Sequence, residues 1–191
     1  MFDEVSERLQ RSGSVGIIPT DTVYGVVARA ADEAAVDRLY RLKNREHKPG
    51  TLIAASIDQL EALGLKRRYL KAVEQYWPGA VSVVIPASDP VLKYLHRGKL
   101  SLAVRIPEPV AFRELLEKTG PLATSSANPT GEPVATTMQA AKDYFGNEVD
   151  FYVDGGDLSA QKPSTVIRIV DDAVEVLRAG AVPIDDATMK P

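Results

Sequence analysis

Short β-branched runs closed by proline or glycine alternate with stretches at helical spacing along nearly the whole chain. That alternation restricts the fold to an α/β domain with a mixed or mostly parallel sheet. The strongest strand signal is Ala80-Val81-Ser82-Val83-Val84-Ile85-Pro86, bounded by Gly79 and Pro86. Further strands are expected at 14–19, 51–55, 101–106, 121–124, 151–153, 164–170 and 174–177. Between them, Asp32 to Lys43 places Val36, Leu39, Tyr40 and Leu42 toward one face, with Asp32 as N-cap. Ser56-Ile57-Asp58-Gln59 reads as a capping box opening a helix through Leu63, and helices are also expected over 66–76, 110–118 and 137–145.

The 191 residues contain no internal repeat and no linker rich enough in glycine or proline to divide them, so one domain is expected. With 45% hydrophobic and 26% charged residues the chain has the balance of a globular protein. It has no cysteine, which excludes disulfides, thiolate nucleophiles and Cys-type zinc sites. His47 and His96 stand far apart with no metal-ligand spacing. No apolar run approaches the ~20 residues of a membrane span, and the acidic, amphipathic start is unlike a secretory signal, so a cytoplasmic location is expected. A net charge of −3 argues against coating nucleic acid by bulk electrostatics, although basic clusters occur at 41–45, 66–68 and 96–99.

Three polar segments interrupt the apolar pattern. Pro19-Thr20-Asp21-Thr22-Val23-Tyr24-Gly25 follows a strand, Ala123-Thr124-Ser125-Ser126-Ala127-Asn128 lines up hydroxyls at another strand end, and Lys162-Pro163-Ser164-Thr165 enters a third. Each has two readings, an ordinary turn satisfying its own backbone or one wall of a site for phosphate or carboxylate oxygens, and taken singly the second and third favour the ordinary turn. Nothing beside these hydroxyls would activate a nucleophile: no G-x-S-x-G elbow, no S-x-x-K and no thiol. The chain also lacks the P-loop and dinucleotide fingerprints. What remains are hydroxyls, backbone amides and the cations Lys43, Arg45, Arg105 and Arg178, groups suited to an anionic nucleotide. Arg105 closes the apolar strand Leu102-Ala103-Val104, where an unpaired guanidinium would be costly.

In order and spacing, the Pro19–Gly25 segment, Lys43-Asn44-Arg45, Trp77-Pro78-Gly79, Ser101-Leu102-Ala103-Val104-Arg105, Ser126-Ala127-Asn128-Pro129-Thr130-Gly131 and Pro163-Ser164-Thr165 resemble the YrdC/Sua5 family, from about residue 5 to about 180. The resemblance implies a twisted open mixed sheet flanked by helices, with a large concave basic cavity. It implies an L-threonylcarbamoyladenylate synthase, which joins L-threonine, bicarbonate or CO2 and ATP, the last with Mg²⁺, releasing pyrophosphate. The product serves the N6-threonylcarbamoyladenosine modification of tRNA position 37, through threonylcarbamoyltransferase partners. Carried over by position, Thr22, Arg105, Thr124 and Ser164 would bind L-threonine, and Lys43, Arg45, Ser101, Ser126 and Arg178 would bind ATP. No general base follows from the pattern.

Glu46 departs from the family, which often has proline after Lys-x-Arg. Longer Sua5-type members carry a linker and a second domain after about residue 180, where this sequence has Ala181 to Pro191, so a domain over 1–180 and a short C-terminal tail are expected, as in the single-domain form. Two rival readings are a non-enzymatic module binding tRNA or double-stranded RNA, and a carbamoyl-adenylate relative from hydrogenase maturation.

Overall fold

The computed structural model describes residues 2–44, 48–171 and 173–184. In chain order the elements are α1 (Phe2–Leu9), β1 (Val15–Pro19), β2 (Tyr24–Arg29), α2 (Glu33–Leu42), β3 (Thr51–Ile53), α3 (Ile57–Ala62), α4 (Arg67–Lys71), β4 (Val81–Pro86), α5 (Lys93–His96), β5 (Ser101–Arg105), α6 (Val110–Thr119), β6 (Leu122–Ser126), α7 (Met138–Phe145), β7 (Phe151–Tyr152), β8 (Thr165–Val170) and β9 (Ala173–Arg178). The strands form one sheet of nine in the order β7-β1-β2-β6-β3-β5-β4-β8-β9. It is mixed: β1–β7, β3–β5 and β4–β8 run parallel and the other neighbours antiparallel.

Local signals account for several boundaries. Asp32 caps α2 by accepting the Ala35 N–H at 3.0 Å, and the Thr137 hydroxyl does the same for Ala140 at 3.1 Å. At α3, Ser56 Oγ accepts the Gln59 N–H, while the Gln59 side chain reaches one residue past the expected cap to accept the Ala55 N–H. The helix expected over 66–76 is shorter: α4 ends at Lys71 and a 3-10 turn at Glu74–Tyr76 follows.

One strand departs from the sequence expectation altogether. Tyr24–Arg29 is a buried central strand, so the Pro19–Gly25 segment is the turn of a β1–β2 hairpin rather than a loop running on from a lone strand. The hydroxyl row also differs: Ser125 and Ser126 lie within β6, opposite Val26 and Gly25.

Strand alternation sorts the core onto the two faces of the sheet. Val26 and Ala28 of β2, Leu52 of β3 and Leu102 and Val104 of β5 join the larger cluster. Val27, Ile53 and Leu122 point the other way and pack with Val5 and Leu9 of α1 and Phe112, Leu115 and Leu116 of α6. The registers place Thr124 opposite Val27 and Thr51, Thr51 opposite Ala103, and Ala103 opposite Val84. The face that α1 and α6 cover at one end therefore continues across β6, β3, β5 and β4 as a row of Thr124, Thr51, Ala103 and Val84.

Beyond β9 the chain stays attached to the domain. Ala181 N–H donates to Pro163 O at 2.8 Å, Val182 N–H to Thr165 Oγ1 at 3.1 Å, and Val182 and Ile184 pack on the larger cluster.

Candidate functional site

The row Thr124-Thr51-Ala103-Val84 forms the floor of a cavity of about 380 Å³, within the size range of small-molecule sites. Thr20, Thr22, Ser101, Ser125, Ser126 and Ser164 supply hydroxyls around it, and Lys99, Arg105 and Arg178 supply cations. No carboxylate lines it among the described residues. Hydroxyls and fixed cations make a set suited to receiving anionic oxygens.

Each wall has its own support. In the hairpin turn, Thr20 Oγ1 donates to Val23 O at 2.6 Å and lies 3.2 Å from Thr22 Oγ1, so the buried Thr22 hydroxyl is held toward the cavity. Tyr24 anchors the opposite rim: its hydroxyl accepts the Gly155 N–H at 2.8 Å and donates to Gly156 O at 2.9 Å. Burial, reinforced by Asp154, pushes this phenol above its ordinary value of 10.0, against the opposing effect of the Gly155 N–H. Tyr24 is thus an un-ionised tether for residues 154–156. Gly50 lets the segment leaving α2 press on β6: a Cβ there would stand 2.4 Å from Thr124 O.

Arg105, at the end of β5, is the centre of the polar network. Its side chain is 4% exposed and its Nη2 donates at 2.8 Å to Asp21, itself 3% exposed. Nη1 donates to Ser82 Oγ at 3.1 Å, while Nε is buried without a partner among the described residues. Ser125 Oγ is likewise buried and unpartnered. Buried donors left open in this way cost free energy unless something enters to satisfy them. On the far wall, Arg178 donates from Nε and Nη2 to Ser164 O, and from Nη2 to Ser164 Oγ at 3.0 Å.

Of the residues expected to bind ligands, Thr22, Ser101, Arg105, Thr124, Ser126, Ser164 and Arg178 all line this one cavity. Arg45 lies outside the described residues. Lys43, also expected on the ATP side, is not among the residues that line the cavity. Its fully buried ammonium donates to Ser126 O at 2.6 Å, to Asn128 O and to Asn128 Oδ1 at 3.2 Å. Thr130 Oγ1 returns a bond to Lys43 O at 2.6 Å, and Ser126 Oγ donates to Asn128 Oδ1 at 2.6 Å. Lys43 thereby pins the turn that follows β6.

Three participants escaped the sequence reading. Asp21 sat in a quoted motif but carried no role, Ser82 was hidden in an apolar strand, and Lys99 appeared only as part of a basic cluster. Lys99 ends a tight loop in which the buried His96 Nδ1 accepts the N–H groups of Gly98 and Leu100 at 3.1 and 3.4 Å. Its ammonium has no acceptor among the described residues. The rest of the basic clusters is largely engaged elsewhere. Arg67 pairs with Asp58 and Glu61, Arg68 stacks on Tyr69, and Arg97 pairs with Asp37 over the Tyr40 ring.

A model of the Sua5/YciO/YrdC family, described as telomere recombination, matches residues 8–180. The chain belongs to this family. Among its relatives in the Sua5/YciO/YrdC family, the threonylcarbamoyl-AMP synthase of Pyrococcus abyssi is 33% identical over 181 residues, covering 92% of this chain and 53% of the relative. The threonylcarbamoyl-AMP synthase of Pseudomonas paraeruginosa is 34% identical over 168 residues, covering 86% of this chain and 90% of the relative. This chain thus spans about half of the archaeal protein and nearly all of the bacterial one. A crystal structure of P. abyssi Sua5 complexed with L-threonine superposes with a TM-score of 0.82 at 31% identity, covering 95% of this chain and 54% of that one. The twisted open sheet expected from the Sua5/YrdC resemblance is the sheet observed. Among the described residues no helix is long and apolar enough to cross a membrane, and no group of three His, Cys, Asp or Glu side chains could hold a metal ion.

Proposed function

We infer that this chain is a threonylcarbamoyl-AMP synthase. It condenses L-threonine, bicarbonate or CO2 and ATP to threonylcarbamoyl-AMP, releasing pyrophosphate, in the synthesis of N6-threonylcarbamoyladenosine on tRNA. The observation that carries this reading is that all four residues expected for threonine and three of those expected for ATP, Ser101, Ser126 and Arg178, line a single cavity, in a chain 33–34% identical to proteins bearing that name.

In this reading Arg105 takes the threonine carboxylate, with the hydroxyls of Thr22, Thr124 and Ser164 around the rest of the amino acid. Ser101, Ser126, Arg178 and Lys99 face the nucleotide phosphates, and Arg45 is assigned there by sequence position alone. Threonine nitrogen forms a bond to the carbon of CO2 or bicarbonate, with loss of a proton or of water respectively, to leave the carbamate. A carbamate oxygen then attacks the α-phosphorus, and the bond to the β-phosphate oxygen breaks to free pyrophosphate. Holding both reactants in one cavity removes the entropic barrier to their meeting. The cations at the phosphate side offset charge on the leaving group. Mg²⁺ supplied with the triphosphate would offset phosphate charge alongside Lys99 and Arg178. The product is a reactive mixed anhydride, which calls for a threonylcarbamoyltransferase partner that receives it and carries it to tRNA.

The test is direct. Purified protein is incubated with ATP, Mg²⁺ and bicarbonate, with and without L-threonine, while pyrophosphate and AMP-containing product are measured. Threonine-dependent release of both is expected; pyrophosphate release indifferent to threonine overturns the assignment.

A further inference from the structure

Ser82 is a polar residue within the apolar strand β4, and it has no solvent exposure at all. A hydroxyl in such a place must be satisfied from within. Its Oγ lies 3.1 Å from Arg105 Nη1 and 3.0 Å from Ser164 Oγ. Ser164 Oγ in turn accepts from Arg178 Nη2 at 3.0 Å, and Arg105 Nη2 reaches Asp21 at 2.8 Å. The result is an unbroken polar chain, Asp21–Arg105–Ser82–Ser164–Arg178, from the hairpin turn to β9. Its two guanidinium groups stand on the two ligand sides of the cavity, which Ser82 itself does not line.

The donor count constrains this chain further. A guanidinium can only donate, so Ser82 must accept from Arg105 and Ser164 must accept from Arg178. Each hydroxyl has one hydrogen, and a single hydrogen joins the two oxygens. If Ser164 donates to Ser82, its own proton is spent and it offers the cavity only a lone pair. If Ser82 donates to Ser164, the Ser164 proton is free to meet a ligand oxygen. An acceptor atom arriving at Ser164 therefore sets the direction of the Ser82 hydroxyl, which directly contacts Arg105. Polarisation along such a chain acts in both directions.

From this, and resting on the synthase reading above, we propose that Ser82 is a positioning residue that couples occupancy of the threonine side of the cavity to occupancy of the nucleotide side. It holds Arg105 and Ser164 in a shared hydrogen-bond arrangement. Binding at either end fixes that arrangement for the other.

The experiment is a binding cycle on the intact protein, using L-threonine and a non-hydrolysable ATP analogue with Mg²⁺. The threonine dissociation constant is measured with and without the analogue, for wild type, Ser82→Ala and Ser82→Cys. For wild type the ratio of the two constants is expected to be at least about fivefold, the lower end of ordinary coupling. In Ser82→Ala it falls below about twofold, with threonine KM rising at saturating ATP. Ser82→Cys, which keeps a small group that both donates and accepts, recovers part of the ratio. A merely structural role would lower the melting temperature of Ser82→Ala and leave the ratio intact. If Ser82→Ala does not fold, the Cys variant alone decides, its ratio falling below the wild-type value. A wild-type ratio of one, or a ratio unchanged in the variants, overturns the proposal while threonine-dependent turnover leaves the synthase reading standing. Failure of wild type to bind threonine at all overturns both.

Discussion

Replacing Asp21 with asparagine isolates the charge that faces Arg105 while preserving side-chain shape. The two groups meet at 2.8 Å with side chains only 4% and 3% exposed. Removing one partner of a buried pair costs about 3–5 kcal/mol, because the survivor remains charged and dry. The asparagine carbonyl oxygen still accepts from Nη2, which returns roughly 1 kcal/mol. A net loss of about 2–4 kcal/mol follows, or roughly 5–15 °C in melting temperature for a domain of this size. The informative part is the response to ligand. In wild type, L-threonine brings its carboxylate to a guanidinium that is already neutralised; in Asp21→Asn it supplies the missing anion. Threonine should therefore raise the melting temperature of the variant by more than it raises that of wild type. Differential scanning fluorimetry across a threonine titration measures both quantities. A loss under about 2 °C, or an equal or smaller threonine increment in the variant, would refute the view that Asp21 and the threonine carboxylate share the Arg105 guanidinium.

Three further outcomes are expected. Lys99→Ala should raise KM for ATP about tenfold and leave threonine KM within about twofold, with the defect shrinking at high salt because this cation is solvent-exposed; steady-state kinetics at two ionic strengths checks it. Gly50→Ala forces a methyl to within 2.4 Å of Thr124 O, so a loss of about 1–3 kcal/mol is expected, with weaker threonine binding measured by calorimetry. Burial raises the pKa of Tyr94, whose hydroxyl donates to Ala30 O at 2.6 Å. With the folded value above the unfolded one, its stabilising contribution is complete below pH 10 and declines as pH climbs through the folded value. Melting temperatures taken from pH 8 to 11.5 should accordingly fall less steeply above pH 10 for Tyr94→Phe than for wild type.

Elements whose signals are local were readable before any coordinates. Asp32 at the start of α2, the Ser56 and Gln59 pair around α3, and the β-branched run of β4 each carry their cause within a few residues. Strand β2 did not declare itself, because Tyr24–Arg29 is buried on both faces and so lacks the alternation that marks a half-exposed strand. The site shows the same division. Thr22, Thr124, Ser164 and Arg105 stand in short polar motifs, whereas the Asp21–Arg105 pair spans 84 positions and the Ser82–Ser164 contact spans 82. No spacing rule connects groups so far apart; only the sheet order does. Lys43 shows the same, a cation beside a motif with long-range partners in three oxygens of the Ser126–Asn128 turn.

The floor of the cavity is a register row through the middle of the sheet, in which the single methyl group of Ala103 stands between Val84 and Thr51. Such a floor acts as a gauge for the length of whatever amino acid enters. Lengthening or removing the side chain at position 103 would shift which amino acid fits without disturbing any charged contact, and one methylene against an apolar surface carries about 1–3 kcal/mol of discrimination. In the synthase reading, selectivity for the amino acid can then drift through position 103 while the groups assigned to its carboxylate stay fixed.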